Sequence, residues 1–218
     1  MSIAHHPGEE LLLAYASGAA DEGVGLLVAA HLALCPQCRA VVAEAEAAGG
    51  VMFSHLAPEP MAADALASVL GKLDSEGAVS RTEKKAPRAS AQNAVPEPLR
   101  TYLGGDFDQV AWRPVAGGIS HFPLFRRGRT RVELIRAKPG AGVATHTHRG
   151  EELTLVLAGG FSDVTGTYAR GDVQTTSPDI LHRPLADSGE DCINLAVTEG
   201  ALIFQSLPFK VLGRMFGF

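Results

Sequence analysis

Apolar positions recur at helical spacing through the first third of the chain and at strand spacing through its last half. Between residues 8 and 75 they return every three to four positions, the period of one helix face. Four segments carry this pattern. "PGEELLLAYASG" opens on a proline and two acids, which suit a helix N-terminus, and closes at Gly18. "DEGVGLLVAAHLALC" begins on a capping residue, Asp21. Pro36 follows Cys35 as the first residue of a new helix, "PQCRAVVAEAEAAG". A fourth segment, "MAADALASVLGKLDSEG", places Leu66, Val69, Leu70 and Leu73 on one stripe.

The pattern then breaks. Residues 76–98 are charged, small or proline, and no hydrophobic period survives, which reads as a flexible linker. From about residue 99 short strands take over. "RTRVELIRA", "ELTLVLAG" and "CINLAVT" alternate or run apolar between glycine and proline turns, with no helices between them. That spacing predicts a barrel or sandwich. The expected organisation is two domains: an all-α helical bundle over residues 1–75, the linker over 76–98, and an all-β domain over 99–218. Few contacts should cross such a linker, so a fragment ending near residue 80 is expected to fold by itself. The apolar, aromatic tail "FKVLGRMFGF" is expected to pack on the barrel or across a dimer contact.

Charge changes this picture little for the whole chain and more for its first third. The 218 residues carry a formal net charge of −5, which argues against general binding to a phosphate backbone. The first 75 residues hold nine acidic side chains against Arg39 and Lys72. Such a surface serves solubility or docks on a basic protein. "MSIAHHPGEE" has neither the basic nor the apolar region of a signal peptide, and the apolar runs are far short of a membrane span. A cytoplasmic protein is expected. In a reducing compartment a Cys-x-x-Cys pair reads as a metal or redox site rather than a disulfide. Cys192, alone in an apolar run, reads as a small buried hydrophobe.

The Cys-x-x-Cys pair does not stand alone. His31 and Cys35 are four residues apart, so they share a helix face. A helix break at Pro36 folds Cys38 back toward Cys35. Three soft ligands then converge, and tetrahedral zinc needs a fourth. His6 lies on an arm just before the first helix, its neighbour His5 can substitute, and His55 sits in a stretch without ligand spacing. A redox pair is the competing reading, but it is normally set in a βαβ unit that this segment lacks. Zinc also answers a stability problem, because an Ala-rich unit of this size has a thin core.

A second cluster lies in "GAGVATHTHRGEELTLVLAG", residues 140–159. His146 and His148 are two apart and share one face of a strand. Glu152 follows where the next strand can return beside them, and His182 lies downstream after a Gly-Asp turn and a proline. Three imidazoles and a carboxylate make a mixed site open to Zn, Mn, Fe, Ni or Cu. The remaining candidates are plainer. His121 reads as a packing or surface residue and Trp112 as barrel core. The basic run "RRGRTR" reads as a solvated hairpin turn, an anion site, or a dock for the acidic helical domain.

Residues 140–159 resemble the first motif of the cupin fold, Gly-x5-His-x-His-x3-Glu-x6-Gly, at every position. The second motif is matched in part: Gly171 and His182 keep their separation, Pro178 is displaced by one, and Ala186 stands where asparagine is expected. The helical segment resembles the zinc-binding anti-sigma factors, whose His…His-x3-Cys-x2-Cys pattern falls here on His6, His31, Cys35 and Cys38. A zinc bundle, a linker and a cupin barrel in one chain is similar to the ChrR-type anti-sigma factors. That resemblance implies a cytoplasmic regulator of transcription with zinc in the helical domain and zinc or another divalent metal at His146, His148, Glu152 and His182. The implied partner is an extracytoplasmic-function sigma factor, with no direct contact to nucleic acid or membrane. The implied signal is singlet oxygen or a related oxidant acting through the cupin, which is left free to bind a small molecule or a second copy. The alternative is a metal-dependent cupin enzyme, since three His and one Glu also serve dioxygenases and isomerases.

Overall fold

The computed structural model describes residues 3–75 and 95–205. Its helices are α1 (Glu9–Ala16), α2 (Glu22–Leu34), α3 (Pro36–Ser54), α4 (Ala65–Ser75) and α5 (Glu97–Leu103). The Asp21 carboxylate accepts from the Val24 N–H at 2.9 Å and caps α2 as its sequence position suggests. The backbone turns extended at Cys35 (φ −107°, ψ 104°), and Pro36 opens α3 as its first residue. That corner is what brings the two cysteines to the same end of the helix pair.

The strands are β1 (Arg113–Ala116), β2 (Ile119–Arg127), β3 (Thr130–Ala137), β4 (His146–His148), β5 (Glu152–Ala158), β6 (Gly160–Asp163), β7 (Gly166–Ala169), β8 (Val173–Thr176), β9 (Leu185–Ala186), β10 (Cys192–Glu199) and β11 (Leu202–Phe204). One sheet runs β1-β2-β3-β10-β5-β8, a second β7-β6-β9, and a third pairs β11 with β4. Bridges between Gly142 and Leu185 and between His146 and His182 help close them into a barrel. The fold class is as expected: helices first, then an all-β cupin barrel.

The two modules are not separate bodies. Leu26, Leu27 and Ala30 of α2 and Leu99 of α5 pack into one hydrophobic cluster with Val132, Leu134, Leu153, Leu155, Leu157, Leu195 and Val197 of the barrel. This is why every residue of β5 is buried: one face looks into the barrel and the other meets helices. The approach is close. A Cβ added at Gly23 would lie 2.8 Å from the Val132 side chain and 3.1 Å from Val197. The Arg127 guanidinium, in the basic hairpin, pairs with Glu22 of α2 at 2.8 Å, so that run touches the acidic helices. The expectation of few contacts between the modules is corrected by this shared core.

Two further expectations change. The chain does not enter strands at residue 99: Glu97–Leu103 is helical, with Gly104 in the left-handed conformation ending it. Val95, assigned to the linker, is buried in the shared cluster. The rest of the linker, 76–94, and the tail, 206–218, lie outside the described residues. The stripe of Leu66, Val69, Leu70 and Leu73 is present on α4 as read, and all four side chains are exposed.

Candidate metal centres

The helical centre draws on three pieces of chain. His6 comes from the arm before α1, His31 from the last turn of α2, and Cys35 and Cys38 from the α2–α3 corner. Their donor atoms lie within 4.8 Å of one another. His6 Nδ1 stands 3.5 Å from Cys35 Sγ and 3.3 Å from Cys38 Sγ. Bond lengths of about 2.3 Å to sulfur and about 2.0–2.1 Å to nitrogen give ligand–ligand edges of roughly 3.5 Å around tetrahedral zinc. His31 is fully buried, its Nδ1–H donates to the Gly171 carbonyl at 2.8 Å, and Nε2 has no hydrogen-bond partner. That bond fixes the tautomer and leaves the Nε2 lone pair for a metal. Burial, then the bond and charge of Cys35, push the Cys38 thiol up to about 12. The Cys38 thiol therefore stays protonated unless a cation takes the proton's place.

The barrel centre sits on regular strands. His146 and His148 flank β4, Glu152 opens β5, and His182 bridges to His146 through paired backbone bonds. The Nε2 atoms of His148 and His182 are 3.1 Å apart, those of His182 and His146 3.2 Å, and Glu152 Oε2 lies 3.2 Å from His148 Nε2. Three imidazole nitrogens facing one point cannot all be satisfied by one another, whereas one ion satisfies them together. The distances match ligand edges at metal–nitrogen bonds of about 2.0–2.1 Å. The ring orientations are held from behind. His146 Nδ1–H donates to the Ala144 carbonyl at 2.8 Å, and His182 Nδ1–H donates to Asp163 Oδ2 at 2.8 Å. Asp163 is itself held by Gln174 Nε2 at 2.9 Å and by the Thr165 N–H at 2.7 Å. Glu152 accepts from the Thr198 hydroxyl at 3.0 Å.

Electrostatics at the barrel centre follow from burial. Desolvation, with His182 adding, pushes His146 down to about 4; desolvation, with both neighbouring imidazoles adding, pushes His148 down to about 3. Burial raises the Glu152 carboxyl to about 7 against the bond from Thr198, and the charge of Glu133 adds to the rise. His146 and His148, held neutral beside a carboxyl reluctant to ionise, belong to a donor set that gains from a divalent cation. Both sets of residues could hold a metal ion.

All eight side chains singled out in the sequence meet in these two clusters. Of the alternatives for the fourth helical ligand, His6 is in place. His5 turns instead toward Tyr168, with ring centres 4.6 Å apart, and His55 caps α3 through a bond to the Val51 carbonyl. Cys192 is buried as expected. His121 is more than a packing residue: its Nδ1 meets the buried Glu133 carboxylate at 2.9 Å. Asp163 escaped notice as the brace of His182, because nothing in a sequence spacing marks a residue on another strand.

Three comparisons place these features among known proteins. A family model described as the ChrR cupin-like domain matches residues 102–202. The anti-sigma-E factor ChrR of Cereibacter sphaeroides is 38% identical over 216 residues, covering 99% of each chain. The crystal structure of Rhodobacter sphaeroides SigE in complex with the anti-sigma ChrR superposes with a TM-score of 0.79 at 37% identity, over 91% of this chain and 100% of that one.

Proposed function

This chain belongs to the ChrR family of anti-sigma factors, and from that membership we propose that it holds an extracytoplasmic-function sigma factor inactive and releases it on a signal. Both relatives are regulators rather than enzymes, so the catalytic alternative raised by the ligand set is not carried forward. No helix among the described residues is long and apolar enough to cross a membrane, which fits action in the cytoplasm.

The observation that carries this reading is an uncovered apolar surface on the helical segment. Val51, Met52, Phe53 and Leu56 at the end of α3 and Leu66, Val69, Leu70 and Leu73 on α4 are all exposed. Eight large apolar side chains, seven on two consecutive helices and Leu56 just past the first, mark a surface built to be covered. Glu44, Glu46, Glu59 and Asp64 lie exposed in the same stretch. A sigma factor carries basic surfaces for DNA, so an apolar face with acidic neighbours suits it and occludes what polymerase would use.

In this reading His6, His31, Cys35 and Cys38 hold zinc. When bound, the ion ties the N-terminal arm to the α2–α3 corner and so fixes where α3 points. His146, His148, Glu152 and His182 hold zinc or another divalent metal in the barrel. The signal, singlet oxygen or a related oxidant, acts on the barrel and favours a state that binds sigma less tightly. Co-expression with the co-encoded sigma factor tests the interface: a one-to-one complex is expected, weakened at least tenfold in Phe53→Asp and Leu70→Asp. Wild-type affinity in both folded variants would refute the assignment of that face.

A further inference from the structure

The arm that carries His6 is held by the barrel. Its backbone N–H groups at Ala4 and His5 donate to Asp172 Oδ1 at 2.7 and 3.0 Å, while Oδ2 accepts from the Ala169 N–H at 2.9 Å. The Val173 N–H donates to the His5 carbonyl at 3.0 Å, so the arm runs on as a strand-like neighbour of β8. The Asp172 carboxylate is buried. One residue earlier, the Gly171 carbonyl takes the His31 Nδ1 proton. Gly171 has φ +97°, and a Cβ there would lie 2.5 Å from the Ile3 side chain, so arm and turn touch without space between them.

We propose that the turn between β7 and β8 is the outer shell of the helical metal centre, with Asp172 as its positioning residue. Asp172 fixes the segment that presents His6, and the Gly171 carbonyl beside it sets the tautomer and tilt of His31. Two of the four donors of the helical cluster are thus aimed by a barrel loop. The inference rests on the reading that this cluster holds zinc. An unanchored arm samples many conformations, and ordering it opposes metal binding; a carboxylate that already accepts its N–H groups removes most of that opposition. Outer partners of metal ligands commonly shift metal affinity 10–100-fold. The same strand continues to Gln174, whose amide holds Asp163 and, through it, His182 of the other centre.

Cobalt(II) titration of the full chain tests this. Only the helical cluster offers sulfur, so a thiolate-to-cobalt charge-transfer band reports that centre apart from the barrel. Asp172→Ala should weaken cobalt binding in this band by ten- to a hundredfold, with sulfur-free binding in the barrel and the unfolding midpoint unchanged. Asp172→Asn, which keeps an acceptor for Ala4 and His5 but sets an NH2 against the Ala169 N–H, should recover part of the loss. Ala4→Pro removes one donor from the arm while leaving every barrel residue in place, and should shift the same band if Asp172→Ala fails to fold. Wild-type cobalt affinity in the folded variants, or equal loss at both centres, would overturn the proposal. Absence of the band in the wild-type protein would instead refute the metal reading on which it rests.

Discussion

The two centres differ in how their ligands are brought together. In the barrel, His146 and His148 on β4 and Glu152 on β5 are each held by strand pairing, β4 with β11 and β5 with β10 and β8, and His146 pairs directly with His182. Each outer brace, the Ala144 carbonyl for His146 and Asp163 for His182, comes from the same barrel. In the helical centre the ligands come from an arm, a helix end and a corner, and the arm is anchored by a different module. A preformed site loses its metal and keeps its shape. A site assembled from distant segments is itself part of the fold, so losing the metal loosens what surrounds it. The contrast suits a division of labour in which one centre holds the sigma-binding shape and the other responds.

The largest effect expected from this contrast is at the cysteines. Cys38→Ser should abolish zinc binding at the helical centre and weaken sigma binding more than a hundredfold, since structural zinc contributes ~10–16 kcal/mol to folding in comparable small units. Metal analysis and a pull-down check both. Truncation comes next. A fragment of residues 1–80 exposes Leu26 and Leu27, which the full chain buries against the barrel, and each is worth ~1.5–3 kcal/mol. It also lacks the Gly171 and Asp172 anchors. Its zinc affinity, read by chelator competition, should fall well below that of the full chain, contrary to what the linker's composition suggests. Equal affinities would show the modules to be independent.

Asp163→Asn should act only on the barrel. Asparagine can hold the His182 ring but not stabilise its charge distribution, so barrel metal affinity should drop 10–100-fold while the cobalt–sulfur band stays unchanged. The smallest effect is expected at the seam. Gly23→Ala forces a methyl against Val132 and Val197 and should destabilise the chain by ~1–3 kcal/mol in denaturant unfolding, with both metals retained.

What could be read in the sequence was whatever a local spacing encodes. His31 to Cys38 lies within two helical turns, and His146 to Glu152 within seven residues, so six of the eight clustered side chains could be picked out from their intervals, while His6 and His182 came from the wider motifs. The first four helices and the long strands β3, β5 and β10 followed from periodicity for the same reason, whereas most of the shorter strands did not. What could not be read was what covers each apolar face. The stripe on α4 and the face of α2 look alike as patterns, yet Leu27 is buried against a sheet and Leu70 faces solvent. A hydrophobic period names a face and not its partner. The roles of Asp163 and Asp172 were hidden likewise, because each acts on a residue that is distant in sequence. The α5 helix was missed because its single apolar turn is too short to show a period.

The central claim is that the helical centre keeps sigma bound and the barrel centre governs its release. A sigma-dependent reporter, read with and without a singlet-oxygen photosensitiser, tests it in wild type, Cys38→Ser and His146→Ala. Expression is expected in Cys38→Ser under both conditions, and repression in His146→Ala that persists when the photosensitiser is illuminated. Normal induction of His146→Ala, or repression retained by Cys38→Ser, would contradict it.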